Sequence, residues 1–276
     1  MDLYRVETYL KPASLTEVSG WQADWNWLAG GTWIFNQVQP QVKTLVDMQR
    51  LGWSAIDVTS AGLSIGATCI QNDVLNFSFP TDWPGAKALK DAVRELASFK
   101  LSHAATVGGN ICLALTASTF APVMVALQAK YEIWRLAGEP YWVDAADFQT
   151  APQQTVLQPG EVLRSIEISS ANLTQWQTRF KRMAVCTAGY AIAIVVTAYH
   201  PQTQQVRFGL GGSVPAPCLI EFDTLPTPEQ MGAALQKKIF LEDERGSAVY
   251  RQHITQVLMQ RCLAELTMGT LGACRY

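Results

Sequence analysis

The chain has 276 residues, of which 49% are hydrophobic and only 16% charged, with a formal net charge of −2. That length buries a substantial core and accommodates two or more subdomains, and the near-neutral balance offers no basic footprint for nucleic acid. Nine Trp and eight Tyr leave two readings open: one large, well-filled core, or a surface covered by partner chains.

The opening stretch, MDLYRVETYLKP, has acidic residues and no apolar h-region, so it reads as no secretory signal and a cytoplasmic protein is expected. NWLAGGT, near residue 30, reads as a strand running into a glycine turn, and KTLVDMQRL (43–51) as a strand decaying into a turn at Gly52. AGLSIGATCIQNDVL alternates at Leu63, Ile65 and Ala67, which predicts a strand reaching a helix capped at Asn72 or Asp73. Residues 82–99 predict a helix, with Pro84 in its first turn and Ala88, Leu89, Ala92, Val93, Leu96 and Ala97 on one face. A second, mostly apolar helix is expected over 118–129, and strands over 130–136 and 161–169.

The polar, turn-prone stretch 169–178 marks a boundary. Three strands are expected beyond it, including 188–199 and 204–212. The first of these is the most apolar run of the chain, but it is too short and too β-branched to cross a bilayer, so it reads as a buried strand. The Pro-rich loop SVPAPC and a long helix over 246–266 follow, the helix repeating Val249 or Tyr250, Ile254, Val257, Leu258 and Cys262. Strands followed by helices indicate an α+β module. Six cysteines, at 69, 112, 186, 218, 262 and 274, are never closer than twelve positions apart. No zinc or iron–sulfur spacing is present, and the cysteines read as core hydrophobes.

Two glycine pairs carry the chemistry. Gly30–Gly31 precedes Thr32, and Gly108–Gly109 stands between Thr106 and Asn110. Paired glycines permit positive φ and close approach, so successive amides can surround a diphosphate, while a hydroxyl or an amide side chain adds donors without bulk. Each pair taken alone also fits an ordinary turn. Neither GxGxxG nor GxxxxGK[ST] is present, which disfavours a Rossmann NAD site.

The blocks LAGGT, LVDMQRL, LSIGAT, ATVGGNIC…APVMVAL, VLRSIEI, FGLGGSVPAP and RGSAVYRQHITQVLMQRCL occur in this order over essentially the whole chain. Together they resemble the FAD-binding (medium) subunit of molybdenum hydroxylases, the xanthine dehydrogenase, carbon monoxide dehydrogenase and aldehyde oxidoreductase type. The resemblance implies an α+β chain. A two-part FAD-binding domain of the vanillyl-alcohol-oxidase/PCMH type would occupy 1–172, with subdomains of about 1–55 and 56–172, and a small α+β domain (an antiparallel sheet with helices) would occupy 173–276.

By the same resemblance Leu28, Ala29, Gly30, Gly31, Thr32, Trp33 and Ile34 wrap the pyrophosphate of FAD, and Thr106, Gly108, Gly109 and Asn110 complete the grip. Leu96 and Ala97 lie near the flavin, Leu163 touches the adenine side, and Thr119 and Lys181 are carried over as further contacts. Lys181 by its position alone reads as a solvated lysine at a strand start. Three positions depart from the family: Trp33 where a small polar residue is usual, Thr119 at an acidic position, and His103 in place of a basic-polar turn. The implied partners are a large molybdopterin-binding subunit and a small subunit with [2Fe–2S] clusters, in a heterotrimer or its dimer. This chain would then pass electrons onward; no Ser–His–Asp, Cys–His or carboxylate-pair signature declares itself in the sequence, so no catalytic side chain is named. The alternatives are a self-contained FAD reductase or oxidase of the same flavin fold, and a flavin-free structural subunit.

Overall fold

The computed structural model describes residues 3–96, 98–186 and 189–272. Its first sheet joins β1 (Thr8–Leu10), β2 (Trp25–Leu28) and β3 (Thr44–Asp47), all parallel, in the order β1-β3-β2. β3 is buried along its whole length because it is the central strand. β2 ends at Leu28, and the chain turns at once into the first glycine pair.

The second sheet is antiparallel, in the order β4-β5-β10-β6-β7, from β4 (Ile56–Thr59), β5 (Gly62–Gly66), β6 (Lys130–Trp134), β7 (Tyr141–Asp144) and β10 (Val162–Ser169). A small hairpin, β8 (Gln149–Ala151) with β9 (Gln154–Thr155), and the short helix α6 (Ala145–Phe148) lie between β7 and β10.

The helices between β5 and β6 are shorter than the sequence implies. α1 (Gln71–Asn76) is capped at neither Asn72 nor Asp73: Ile70 is the cap residue, with no side-chain bond. Residues 69–71 lie against 105–107 as an antiparallel bridge, and the carbonyl of Ala105 takes the Gln71 N–H. The neighbouring strand segment thus does the work of a cap. The helix expected over 82–99 divides into a 3-10 turn at Pro84–Ala86, α2 (Lys87–Arg94) and the separate turn α3 (Phe99–Ser102). Leu96 falls beyond the end of α2. α4 (Val107–Cys112) holds the second glycine pair, so this pair opens a helix after a single bridge residue and does not follow a strand. α5 (Phe120–Ala126) is buried at every position and stops before 129, where Gln128 turns left-handed at φ 48°.

After α7 (Ser170–Thr174) comes a four-stranded antiparallel sheet: β11 (Gln177–Ala184), β12 (Ala191–Tyr199), β13 (Val206–Gly211) and β14 (Cys218–Phe222). β14 begins where the Pro-rich loop ends, and its five residues CLIEF alternate too weakly to announce a strand. α8 (Pro228–Leu235) and α9 (Ala248–Gly272) cover this sheet, α9 running past the expected 266.

β12 is buried on both faces, which is why its sequence is apolar without alternation. Ile194 and Val196 join the large core with Leu89 of α2 and Phe120 and Val123 of α5. Ala193 and Val195 join a second core with Leu235 of α8 and Met259 and Cys262 of α9.

Arg251, in the SAVYR segment, is 2% exposed. Its guanidinium donates to the carbonyls of Ile192, Gly212 and Gly246 and to the carboxylate of Asp243. This fixes the start of α9 to the ends of β12 and β13.

Candidate functional site

The two glycine segments meet. A β-carbon on Gly30 would stand 2.0 Å from the carbonyl oxygen of Ala104, and one on Gly109 would lie 3.9 Å from the Ala29 side chain. Only a residue without a side chain lets residues 29–31 lie against 104–109. Gly31 has the one left-handed backbone of the four, at φ 70°, and it closes a turn in which Phe35 N–H donates to the Gly31 carbonyl.

Between the segments opens a cleft of about 580 Å³. Leu28 through Ile34 line it from one side and Thr106, Gly108, Gly109 and Asn110 from the other, with Leu96, Thr119 and Leu163 completing its walls. Trp33 lines it half-buried and leaves it open. Ala97 lies outside the described residues. Lys181 points away: its ammonium pairs with Glu265 of α9 at 2.6 Å, while the next residue, Arg182, lines the cleft. Successive side chains of a strand face opposite sides, so Lys181 and Arg182 cannot both do so. His103 is exposed at the end of α3.

The loops contribute different donors. Among the described residues, the amide N–H groups of Gly30, Gly31, Thr32, Trp33 and Ile34 have no protein acceptor. The second segment is already satisfied: Val107 N–H donates to Cys69 O, Gly108 N–H to Ala67 O, and Gly109 N–H to the Thr106 hydroxyl oxygen, each at 2.9 Å. Its free donors are side chains. Asn110 Oδ1 accepts from the Ser118 hydroxyl at 2.5 Å and from Phe120 N–H at 3.2 Å, which aims the Asn110 NH₂ away from them. The Thr106 oxygen accepts from Gly109, leaving its own proton to give. Gly108 serves packing: a β-carbon there would sit 2.6 Å from Ala67 O. Among the described residues, only the first pair has backbone amides left to donate; those of the second pair are already taken by Ala67 and Thr106.

Several lining residues carry no sequence motif: Gln71, Glu95, Gln153, Arg182 and Tyr190. Arg182 Nε donates to Glu95 at 2.9 Å and Nη1 to Gly189 O at 3.1 Å. Period-two alternation from Lys181 was the one signal that could have found Arg182. Burial pushes the Cys112 thiol up to about 12, so it stays protonated and unreactive. Gln71 Oε1 and Thr119 Oγ1 are buried with no hydrogen-bond partner among the described residues, which a bound polar group would satisfy.

A family model described as the FAD binding domain in molybdopterin dehydrogenase matches residues 4–170. The medium chain of glyceraldehyde dehydrogenase from Sulfolobus acidocaldarius is 25% identical over 258 residues, spanning 87% of this chain and 89% of that one. Xanthine dehydrogenase/oxidase from Gallus gallus is 25% identical over 191 residues, 60% of this chain but 13% of that much longer protein. In three dimensions the chain superposes on a chain of carbon monoxide dehydrogenase from Hydrogenophaga pseudoflava with a TM-score of 0.83, covering 94% of this chain and 96% of that one at 19% identity. The mixed helix-and-sheet fold expected from the sequence is therefore the fold observed.

Proposed function

Because the chain belongs to the family of FAD-binding domains of molybdopterin dehydrogenases, we propose that it is the flavin-carrying medium subunit of a molybdenum hydroxylase, an oxidoreductase complex. It receives electrons from [2Fe–2S] clusters on a small partner subunit and delivers them to an external acceptor. Substrate is hydroxylated on a large molybdopterin subunit, and the complex works in the cytoplasm. Residues 1–172 form the FAD-binding part, and 173–276 the accessory α+β part.

One observation carries the reading: the residues of five consecutive amides, Gly30 to Ile34, with no acceptor among the described residues, line a cleft together with Thr106 and Asn110, whose hydroxyl proton and NH₂ are left to give. That is a donor set for a diphosphate, made without a lysine or arginine in either loop. When bound, FAD supplies two-electron uptake and one- or two-electron release. The protein's part is placement. The first loop and the Thr106–Asn110 segment hold the diphosphate, and Leu96 and Leu163 give apolar walls. The Glu95–Arg182 pair ties the end of α2 to β11 beside the cleft. Unfilled donors favour bound FAD over a flavin-free structural role, and likeness to a relative named as a medium chain favours a subunit over a self-contained oxidase.

Purification of the full chain with flavin analysis tests this. A yellow protein holding one FAD per chain is expected, and a colourless chain indifferent to added FAD overturns it.

A further inference from the structure

Gln71, the first residue of α1, is fully buried and lines the cleft, yet only half of its amide is used. Residues 69–71 are tied to 105–107 by two backbone bonds, Gln71 N–H to Ala105 O and Val107 N–H to Cys69 O, each at 2.9 Å. The Gln71 side chain adds a third, Nε2 to Thr106 O at 3.1 Å. A carbonyl can only accept, so the NH₂ end must face Thr106 and the orientation of the amide is fixed. Oε1 is then a buried acceptor without a donor among the described residues. Ala67 and Gly108, which line the same cleft, have no side-chain donor to offer. A buried oxygen left bare is costly, and the cleft's occupant is the remaining source of a proton for it.

We propose that Gln71 Oε1 accepts a hydrogen bond from a sugar-type hydroxyl adjoining the diphosphate of the bound dinucleotide, and that it favours ligands carrying that hydroxyl. The inference rests on the FAD reading above. The diphosphate itself is excluded as the partner, since its oxygens only accept and would repel Oε1. Thr106, which Gln71 clasps, and Asn110 are the diphosphate donors on this wall, so the group reaching Gln71 is next to the diphosphate in the ligand. In FAD that group bears hydroxyls in both directions, on the ribityl chain towards the flavin and on the ribose towards adenine. The ring N–H groups lie further off in either direction.

The test is titration of the cofactor-stripped full chain with FAD and with two analogues, one lacking ribityl hydroxyls and one lacking the ribose hydroxyls of the adenosine half. Wild type and Gln71→Met are compared, the latter keeping length and apolar volume. We expect wild type to bind one analogue about tenfold more weakly than FAD. Gln71→Met should bind FAD about tenfold more weakly than wild type, and lose nothing further with that same analogue. The analogue that shows this coupling identifies the sugar. If wild type binds both analogues as tightly as FAD, the inference fails whether or not the variant folds. It fails also if the protein and ligand losses simply multiply, and in both cases FAD binding by wild type stands. If wild type takes up no FAD, the flavin reading itself is lost, and this inference with it.

Discussion

Gly30 faces the carbonyl oxygen of Ala104 so closely that a β-carbon would stand 2.0 Å from it, with the Ala105 backbone 3.1 Å away. Neither neighbour is the end of a flexible side chain, so the contact cannot yield without moving a main chain. Gly30→Ala should destabilise the fold by roughly 1–3 kcal/mol and should separate the two walls of the cleft. Denaturant melts and flavin content after purification check this; an alanine variant that keeps both would mean the segments do not grip together.

Asn110 separates folding from ligand binding. Its Oδ1 organises Ser118 and Phe120, which turns its NH₂ away from them, and the residue lines the cleft. Asn110→Asp keeps the acceptor and replaces the donor with a negative oxygen. Stability should change by less than about 1 kcal/mol, while FAD affinity falls at least about tenfold through repulsion of the diphosphate. Asn110→Ala should lose both. Melting curves and FAD titration of the two variants distinguish the roles.

Thr119 is 3% exposed and its hydroxyl has no partner among the described residues. Thr119→Val removes a bare buried polar group at nearly constant shape, so the cofactor-free protein should be as stable as wild type or slightly more so. The FAD-loaded protein should gain less stability from its ligand than wild type does. Opposite signs in the two states, read by thermal melting with and without FAD, are the expected signature. A variant destabilised in both would show that the hydroxyl has an internal role.

Tyr9 of β1 donates its phenol proton to Asp47, the last residue of β3 and the register partner of Leu28. That hydrogen bond, then burial and the charge of Asp47, push the phenol up to about 12. A raised pKa favours the folded state fully while pH is below the unfolded value of about 10, and the benefit is lost as pH climbs from there through 12. Wild type should therefore lose stability more steeply over that interval than Tyr9→Phe. Parallel slopes in denaturant melts would show that the bond does not stabilise the fold.

Arg251 is a buried cation surrounded by three carbonyls and Asp243. Burial alone would raise the Asp243 carboxyl; hydrogen bonds from Arg245 N–H and Arg251, with the charge of Arg251, hold it below its ordinary value instead. Arg251→Met leaves these acceptors bare and should cost about 3–5 kcal/mol, seen as a large drop in melting temperature. A drop of a degree or two would mean that α9 is held by its apolar face alone.

The sequence was most legible where a single residue type is sterically required. The glycines and the hydroxyl and amide beside them named both cleft walls, because nothing larger fits at Gly30 and the cap of α4 at Thr106 needs a short side chain with an oxygen. The unalternating run in β12 was legible as a buried strand. What escaped depended on contacts between distant segments. Gln71 faces the cleft only because 69–71 pairs with 105–107, and α1 needs no capping side chain for the same reason. Lys181 turns to Glu265 while Arg182 lines the cleft, because one position along a strand is the difference between two faces of a sheet. The split between backbone donors in the first loop and side-chain donors in the second followed from bonds to Ala67 and Cys69 that no local pattern displays.

β12 has a consequence beyond its own burial. One side of this strand belongs to the hydrophobic mass beneath the cleft and the other to the mass beneath α9, so neither half of the molecule can melt without stripping cover from the other. A chain cut before β11 would turn Leu89 and Phe120 out to water. In the intact protein, a ligand that tightens the cleft should slow amide exchange as far away as the buried middle of α9, making the remote helix a reporter of occupancy.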